Sequence, residues 1–279
     1  MTKEHGLLFV AIALLLAFLL LIAVKKMHLL DSRPDQKIAY KLVGEKELAL
    51  HFFTAKNMET DSVTPAVLFF HGGGWLFGGP EFFYPQCQYL SEHGFTCISA
   101  QYRLGADNQP DIPGAIEDAR SALAYLADHA QELHIDPRRI AAGGGSSGGH
   151  LAAALGTAPI QSPGEAISGR DLRPAALVLY NPILDFSPGT LYHSLVAAHW
   201  EQVSPTHRID GAVPTALILV GSQDAEVPVA TVEAFCQKVQ SAGGSCEVEI
   251  YADQGHGFFN QPEYLEKTNR RVLQFLSDL

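Results

Sequence analysis

Short apolar segments alternate with helical stretches along most of this 279-residue chain, and this alternation limits the possible folds more than any other feature. The apolar segments are rich in Val, Ile, Leu and Phe, as expected of strands that are buried on both faces. Alternating strands and helices predict a mostly parallel sheet covered on both faces. Eight strands are predicted at residues 37–43, 47–53, 66–70, 96–100, 140–143, 175–180, 215–220 and 247–251, the first two as an antiparallel start, and helices at 82–93, 112–133, 147–156, 229–242 and 263–279.

Charge and cysteine content exclude several classes of function. The formal net charge is -11, from 19 basic and 30 acidic residues, and no basic cluster is present that would bind nucleic acid. None of the four cysteines lies in a CxxC pair, so neither a metal site nor a cofactor is predicted. Free thiols are expected, and a bridge between Cys236 and Cys246 is the alternative.

The N-terminus differs in composition from the rest of the chain. Residues 6–24 carry no charge and are nearly long enough to cross a bilayer as a helix. Because Lys25 and Lys26 follow at once and no A-x-A site is evident, we expect a hydrophobic anchor helix, with a cleaved signal peptide as the alternative. Counting positive charges favours a cytoplasmic catalytic domain, and export is the alternative. The predicted divisions are an anchor at 1–28, a linker at 29–36 and one domain at 37–279.

A glycine-rich turn, GGSSGG at 144–149, lies between a predicted strand and a predicted helix. The G-x-S-x-G pattern in this context indicates a nucleophile elbow, where glycines two residues before and after the serine relieve crowding. Ser146 is the preferred nucleophile, flanked by glycines at 144 and 148. Ser147, flanked by glycines at 145 and 149, is the alternative. A phosphate loop is disfavoured, because no Lys follows in the G-K-[ST] form.

A second glycine-rich segment, HGGGW at 71–75, follows the strand predicted at 66–70. Successive glycines let the backbone N–H groups converge on one point, where they stabilise the oxyanion of a tetrahedral intermediate. Gly73 and Gly74 are the predicted donors, together with the N–H of Ser147. His71 is interpreted as a residue that braces this loop rather than as a base.

An acid and a base follow the next strands. Asp224 ends the segment GSQD after one predicted strand, and His256 stands between two glycines after the last strand. This order, with Ser146 before both, predicts a triad in which His256 takes the serine proton and Asp224 orients the imidazole. Asp253 shares the loop of His256, and Asp185 borders the pocket or caps a turn, so both are weaker candidates for the acid.

Four segments together identify a family resemblance: HGGGW, GGSSGGHLAAA, GSQDAEVP and GHGFFN. In this order they resemble the hormone-sensitive-lipase-like α/β-hydrolases, and within these the bacterial acetyl-xylan and feruloyl esterase-like group. The resemblance implies the α/β-hydrolase fold, with Ser146 as nucleophile, 71–74 as oxyanion loop, Asp224 as acid and His256 as base. The family often has Asp and Ala on either side of the nucleophile, where this chain has Gly145 and Ser147.

The expected activity is hydrolysis of short-chain acyl or acylated-sugar esters by a serine carboxylesterase. Residues 187–211 are the only insert expected to cover the pocket, and Trp75, Asp185 and Phe258 are expected to contact substrate. The alternatives are an arylformamidase or serine peptidase on the same triad, and a non-catalytic binding module. A small-molecule ester and, through the N-terminal helix, a membrane are the expected partners.

Overall fold

An eight-stranded sheet forms the centre of the computed structural model, which describes residues 33–56, 59, 62–107, 109–157, 172–211 and 213–278. The spatial order is β1-β2-β4-β3-β5-β6-β7-β8. The pairs β1–β2 and β2–β4 are antiparallel and all the others are parallel, which confirms the predicted sheet. The strands are β1 Gln36–Val43, β2 Lys46–Phe53, β3 Thr64–Phe70, β4 Thr96–Ala100, β5 Ile135–Gly145, β6 Ala176–Tyr180, β7 Thr215–Gly221 and β8 Cys246–Tyr251.

Helices cover both faces of this sheet, because successive strand residues point to opposite sides. Leu68 and Phe70 of β3 belong to one buried cluster, with side chains of α2, α3 and α5, whereas Val67 and Phe69 belong to a second, with α1 and α6. The helices are α1 Tyr84–Glu92, α2 Ile112–Asp128, α3 Ser147–Gly156, α4 Trp200–Val203, α5 Val229–Ser241 and α6 Pro262–Ser277.

The segment between α2 and β5 differs from the prediction. Helix α2 begins at a capped N-terminus, where Asp111 accepts a hydrogen bond from the N–H of Gly114, but it ends five residues before the predicted position 133. His134 takes a left-handed conformation, with φ of 52°, and turns the chain into the strand. Strand β5 accordingly starts at Ile135, where it already pairs with Thr64.

The expectation of free thiols was wrong. Cys87 of α1 is bonded to Cys97 of β4, and Cys236 of α5 is bonded to Cys246 of β8. Each disulfide joins a helix to the strand that follows it, since a helix packed on the sheet brings the two Cα atoms to 5.0 and 5.3 Å, within the range that a disulfide needs. No free cysteine remains among the described residues.

The expected anchor at 6–24 and the start of the linker, 29–32, lie outside the described residues. Within the part of the chain that the structure describes, no helix has both the length and the apolar composition to cross a bilayer.

Candidate active site

The nucleophile elbow lies between β5 and α3. Ser146 has φ of 55° and ψ of -119°, a strained conformation for a residue with a side chain. The turn is so tight that a Cβ at Gly144 would lie 2.5 Å from backbone atoms of Gly148. The Ser146 N–H donates to the carbonyl of Tyr180 at the end of β6, which holds the turn against the sheet.

The two serines of the turn differ in access to solvent. Ser146 is partly exposed, whereas Ser147 is fully buried and already belongs to the first turn of α3. Only Ser146 has the positive φ that an elbow nucleophile requires. The geometry therefore favours Ser146 over Ser147 as the reactive residue.

The predicted acid and base are in contact. Asp224 follows β7 and His256 follows β8, and the Nδ1 of His256 lies 2.9 Å from the Oδ2 of Asp224. The other carboxylate oxygen, Oδ1, accepts hydrogen bonds from the N–H groups of Glu226 and Val227 at 2.9 and 2.8 Å. Because the carboxylate is fixed and buried, it holds the imidazole as the Nδ1–H tautomer, which leaves the lone pair on Nε2.

Two polar groups face that Nε2 atom. The Nδ2 of Asn181 lies 3.3 Å away, and the Oε2 of Glu226 lies 3.7 Å away. Among the described residues no hydrogen bond joins Nε2 to Ser146. A nucleophile–base hydrogen bond is often long without substrate and shortens in the Michaelis complex.

The expected oxyanion loop lies beside the nucleophile. A Cβ at Gly72 would lie 3.5 Å from the Cβ of Ser146. Gly73 and Gly74 have φ of 124° and 61°, in the region that favours glycine. The Gly73 carbonyl accepts hydrogen bonds from the N–H groups of Leu76 and Phe77. Neither the Gly73 N–H nor the Gly74 N–H donates to a backbone acceptor among the described residues.

His71 braces this loop through contacts with Tyr102 and Gly72. It is buried and stacked on Tyr102, whose hydroxyl donates to the His71 carbonyl at 2.9 Å. Burial lowers the pKa of His71, so its ring is neutral, and its Nδ1 lies 2.8 Å from the Gly72 carbonyl. These contacts match the bracing position expected from the sequence.

A cavity of about 290 Å³ lies next to the acid–base pair. Asp185 and Glu226 are on its wall, and the hydroxyl of Tyr192 donates to Glu226 at 2.7 Å, which ties the insert 187–211 to the loop of Asp224. Burial raises the pKa of the Tyr192 phenol, so it remains a donor. The lining residues are Pro182, Ile183, Leu184, Asp185, Gly189, Thr190, Leu191, Tyr192, Ala225, Glu226, Val227, Pro228 and Thr231.

Two expected substrate contacts lie elsewhere, and this corrects the prediction. Trp75 is fully buried and packs edge-on against His150, and Phe258 is fully buried against Tyr251. Both residues are large and apolar and follow strand ends, a position that suits a pocket wall as well as the core. Here both of them are packed in the core. Asp185 does line the cavity, and it also accepts the N–H of Ser187, as a turn cap does.

Sequence reasoning missed Asn181 and Glu226. Asn181 directly follows β6, so its place at a carboxyl strand end was a usable signal. Glu226 stands two residues after Asp224, but nothing in the pattern indicates that its side chain turns back toward His256.

The sheet and the three polar residues at the ends of β5, β7 and β8 define an α/β-hydrolase. A family model of BD-FAE matches residues 50–168, and a model of the prolyl oligopeptidase family matches residues 190–279. Esterase 2 of Thermogutta terrifontis, in a structure phosphoramylated by tabun, is 32% identical, with a TM-score of 0.80 over 87% of this chain and 94% of that chain. A propionate-bound structure of the same esterase is equally similar, at 32% identity and a TM-score of 0.79 over 87% and 93% of the two chains.

This chain belongs to the carboxylesterase group of α/β-hydrolases, a group of ester hydrolases, as predicted from its motifs. Among curated proteins, the probable carboxylic ester hydrolase LipM of Mycobacterium tuberculosis is 26% identical over 80% of this chain and 55% of its own length. Lipase 2 of Moraxella sp. is 36% identical over 44% of this chain and 28% of its own length. The chain thus matches about a quarter to a half of the length of these two relatives.

Proposed function

We propose that this protein is a serine carboxylesterase that hydrolyses short-chain acyl or acylated-sugar esters through an acyl-enzyme. The observation that carries this proposal is the hydrogen bond of 2.9 Å between Asp224 and His256, formed at the same sheet edge as the strained Ser146. An acid, a base and a nucleophile at the carboxyl ends of strands in one sheet are what acyl transfer requires.

In this mechanism the hydroxyl of Ser146 attacks the ester carbonyl while the Nε2 of His256 takes its proton. Asp224 keeps the imidazole oriented and stabilises its positive charge. The N–H groups of Gly73, Gly74 and Ser147 donate to the carbonyl oxygen as it becomes an oxyanion. His256 then gives the proton to the departing alcohol, and water, activated by the same imidazole, releases the acid from Ser146.

Short acyl groups are supported by the similar esterase. Propionate and butyrate are each bound in structures of Thermogutta terrifontis esterase 2. The carboxylates of Asp185 and Glu226 on the cavity wall supply acceptors for sugar hydroxyls, which favours an acylated sugar over a long-chain lipid.

Labelling with a fluorophosphonate probe, combined with turnover of acetyl, butyryl, octanoyl and feruloyl esters, tests the proposal. Structures of the similar esterase carry adducts of tabun and paraoxon, so organophosphorus reagents are suitable probes. We expect the adduct on Ser146, no activity in Ser146→Ala, and retained labelling in the matched Ser147→Ala variant. Normal turnover in Ser146→Ala would refute the assignment.

Amide hydrolysis is the second candidate, because residues 190–279 match the prolyl oligopeptidase family. Comparing kcat/KM for an ester, an amide and a formamide of one acyl group separates esterase from peptidase and arylformamidase. A non-catalytic binding module would neither label nor turn over any of them.

We further propose that residues 6–24 anchor the protein in a membrane and that the catalytic domain lies on the non-cytoplasmic side. The uncharged segment supports the anchor. The two disulfides support the side, because such bonds persist in oxidising compartments and are rare in the cytosol. This reverses the side that counting positive charges favoured. The full chain should sediment with membranes, and protease that reaches the outer face of the sealed cytoplasmic membrane should digest the domain. Protection of the domain from that protease would place it in the cytoplasm.

A further inference from the structure

Asn181 contacts the atom of His256 that moves the proton. It follows β6 with φ of 35°, and its own N–H donates to the Leu219 carbonyl at 2.7 Å. The side chain is buried, with Nδ2 lying 3.3 Å from the Nε2 of His256. Its Oδ1 is also buried and has no hydrogen-bond partner among the described residues. A buried amide whose oxygen has no partner and whose NH₂ group contacts the base requires an explanation.

The protonation states of His256 explain why an amide is suited to this place. When Asp224 accepts from Nδ1–H, the Nε2 atom has a lone pair and needs a donor, which the Asn181 NH₂ group supplies. After proton transfer Nε2 carries hydrogen and needs an acceptor. An amide turned by half a rotation offers its oxygen at the same position, because the two ends of the group are nearly equal in size.

We propose that Asn181 is a positioning residue for His256, donating to Nε2 when the imidazole is neutral and accepting from it when the imidazole is protonated. This inference rests on the proposed function of His256 as the base. Asn181 competes with Ser146 for Nε2 in the free enzyme and keeps the ring in place until substrate arrives. Because it acts through the imidazole and not on the substrate, its loss is expected in kcat rather than in KM.

The charges around His256 determine what a carboxylate at this position would do. Asp224 lies at Nδ1, and Glu226, itself bonded to the Tyr192 hydroxyl, lies 3.7 Å from Nε2. Asn181 is the neutral group of the three. A third negative charge against Nε2 favours the protonated imidazole, so a base there would be blocked up to a higher pH.

The test is the pH profile of kcat/KM for Asn181→Asp, with Asn260→Asp as the matched control. Asn260 is exposed, makes no contact with His256 among the described residues, and undergoes the same change of charge. We expect the acid limb of Asn181→Asp to move up by about 1 to 3 pH units, as for an opposite charge at this distance, and that of Asn260→Asp to stay in place. In Asn181→Leu we expect kcat to fall on the order of 10-fold or more with KM unchanged, since a hydrogen bond to a charged group is lost.

A substrate-free measurement separates this inference from the proposed function. The downfield proton resonance of the His256 Nδ1–H, followed against pH, should show the same upward shift in Asn181→Asp. If the acid limb and this resonance titrate as in the wild type, the positioning role of Asn181 is refuted even though Ser146 still labels. If no variant hydrolyses esters and Ser146 does not label, the proposed function fails, and the resonance alone still decides whether Asn181 controls the imidazole.

Discussion

Two buried aspartates of this molecule have different partners. Asp118 of α2 accepts from the Arg103 guanidinium at 2.7 and 2.8 Å and lies 2.9 Å from the Lys41 ammonium. Asp224 accepts from two backbone N–H groups and from the imidazole of His256. Both side chains are fully buried, and a buried carboxylate is costly unless ion pairs and hydrogen bonds such as these compensate for the loss of water.

The difference shows how the partner decides the role of a carboxylate. The side-chain partners of Asp118 are permanent cations, although it also accepts the backbone N–H of Arg103 at 2.9 Å, and its hydrogen bonds raise the pKa of Arg103 further above its already high value. No proton is available to move there at neutral pH, so the cluster fixes α2 to β1 and the segment after β4. His256, in contrast, carries an imidazole that can both take and give a proton, and it lies beside a cavity. The same residue type therefore stabilises the fold in one place and supports proton transfer in the other.

The largest expected effect is on the catalytic side of this comparison. Asp224→Asn replaces the acceptor at Nδ1 by an amide and releases the tautomer that leaves Nε2 free. We expect kcat for ester hydrolysis to fall on the order of 10⁴-fold, as for the equivalent change in other triads. Steady-state kinetics at saturating ester measure it. A variant with nearly full kcat would show that another residue is the acid.

The corresponding change on the structural side should affect stability instead. Asp118→Asn removes the buried carboxylate from Arg103 and Lys41, which keep ion pairs with Glu117 and, for Arg103, with Asp111. The cost should therefore be below about 3–5 kcal/mol, the cost of breaking a fully buried pair. Urea unfolding should therefore show a lower free energy of unfolding, while kcat per folded molecule changes little. If Asp118→Asn lost activity without losing stability, the distinction between the two aspartates would not hold.

A third experiment extends the comparison to buried histidines. His150 in α3 is fully buried, and burial lowers its pKa to about 4, although its Nε2–H donates to the Val203 carbonyl. The unfolded chain binds this proton near pH 6.5, so stability is present above that pH and is lost as the pH falls toward 4, by up to about 3 kcal/mol. In His150→Gln the free energy of unfolding should depend less on pH between 6.5 and 4. His51, whose pKa burial also lowers to about 4, keeps part of the slope. An unchanged slope would contradict the prediction.

The fold could be predicted because its signals are local. Each strand is a short apolar run. The G-x-S-x-G motif requires glycine at 144 and 148 because the backbone segments at these two positions lie in close contact. The sequence indicated the Cys236–Cys246 pair only as an alternative and did not indicate Cys87–Cys97, since both pairs depend on the packing of a helix against a strand and the bonded cysteines are ten residues apart in sequence. Trp75 and Phe258 show the same limit: an apolar side chain at a strand end suits both a pocket wall and the core, and only three-dimensional packing decides. Asn181 was missed although it directly follows β6, because no motif in its own segment indicates that its amide meets His256, 75 residues away.

The smallest expected effects come from the other two aspartates near the site, Asp253 and Asp185. Asp253 is exposed, with φ of 59°, and its N–H donates to the Ser222 hydroxyl; no contact among the described residues joins its carboxylate to His256. Asp253→Asn should leave kcat and KM unchanged, because Asn tolerates the same backbone conformation. Asp185→Asn should raise KM by about 10-fold at most through loss of one cavity acceptor, with kcat intact, because the carboxylate lines the cavity without touching the base. An inactive Asp253→Asn beside an active Asp224→Asn would reverse the assignment of the acid, since the imidazole would then depend on a carboxylate that this geometry directs to solvent.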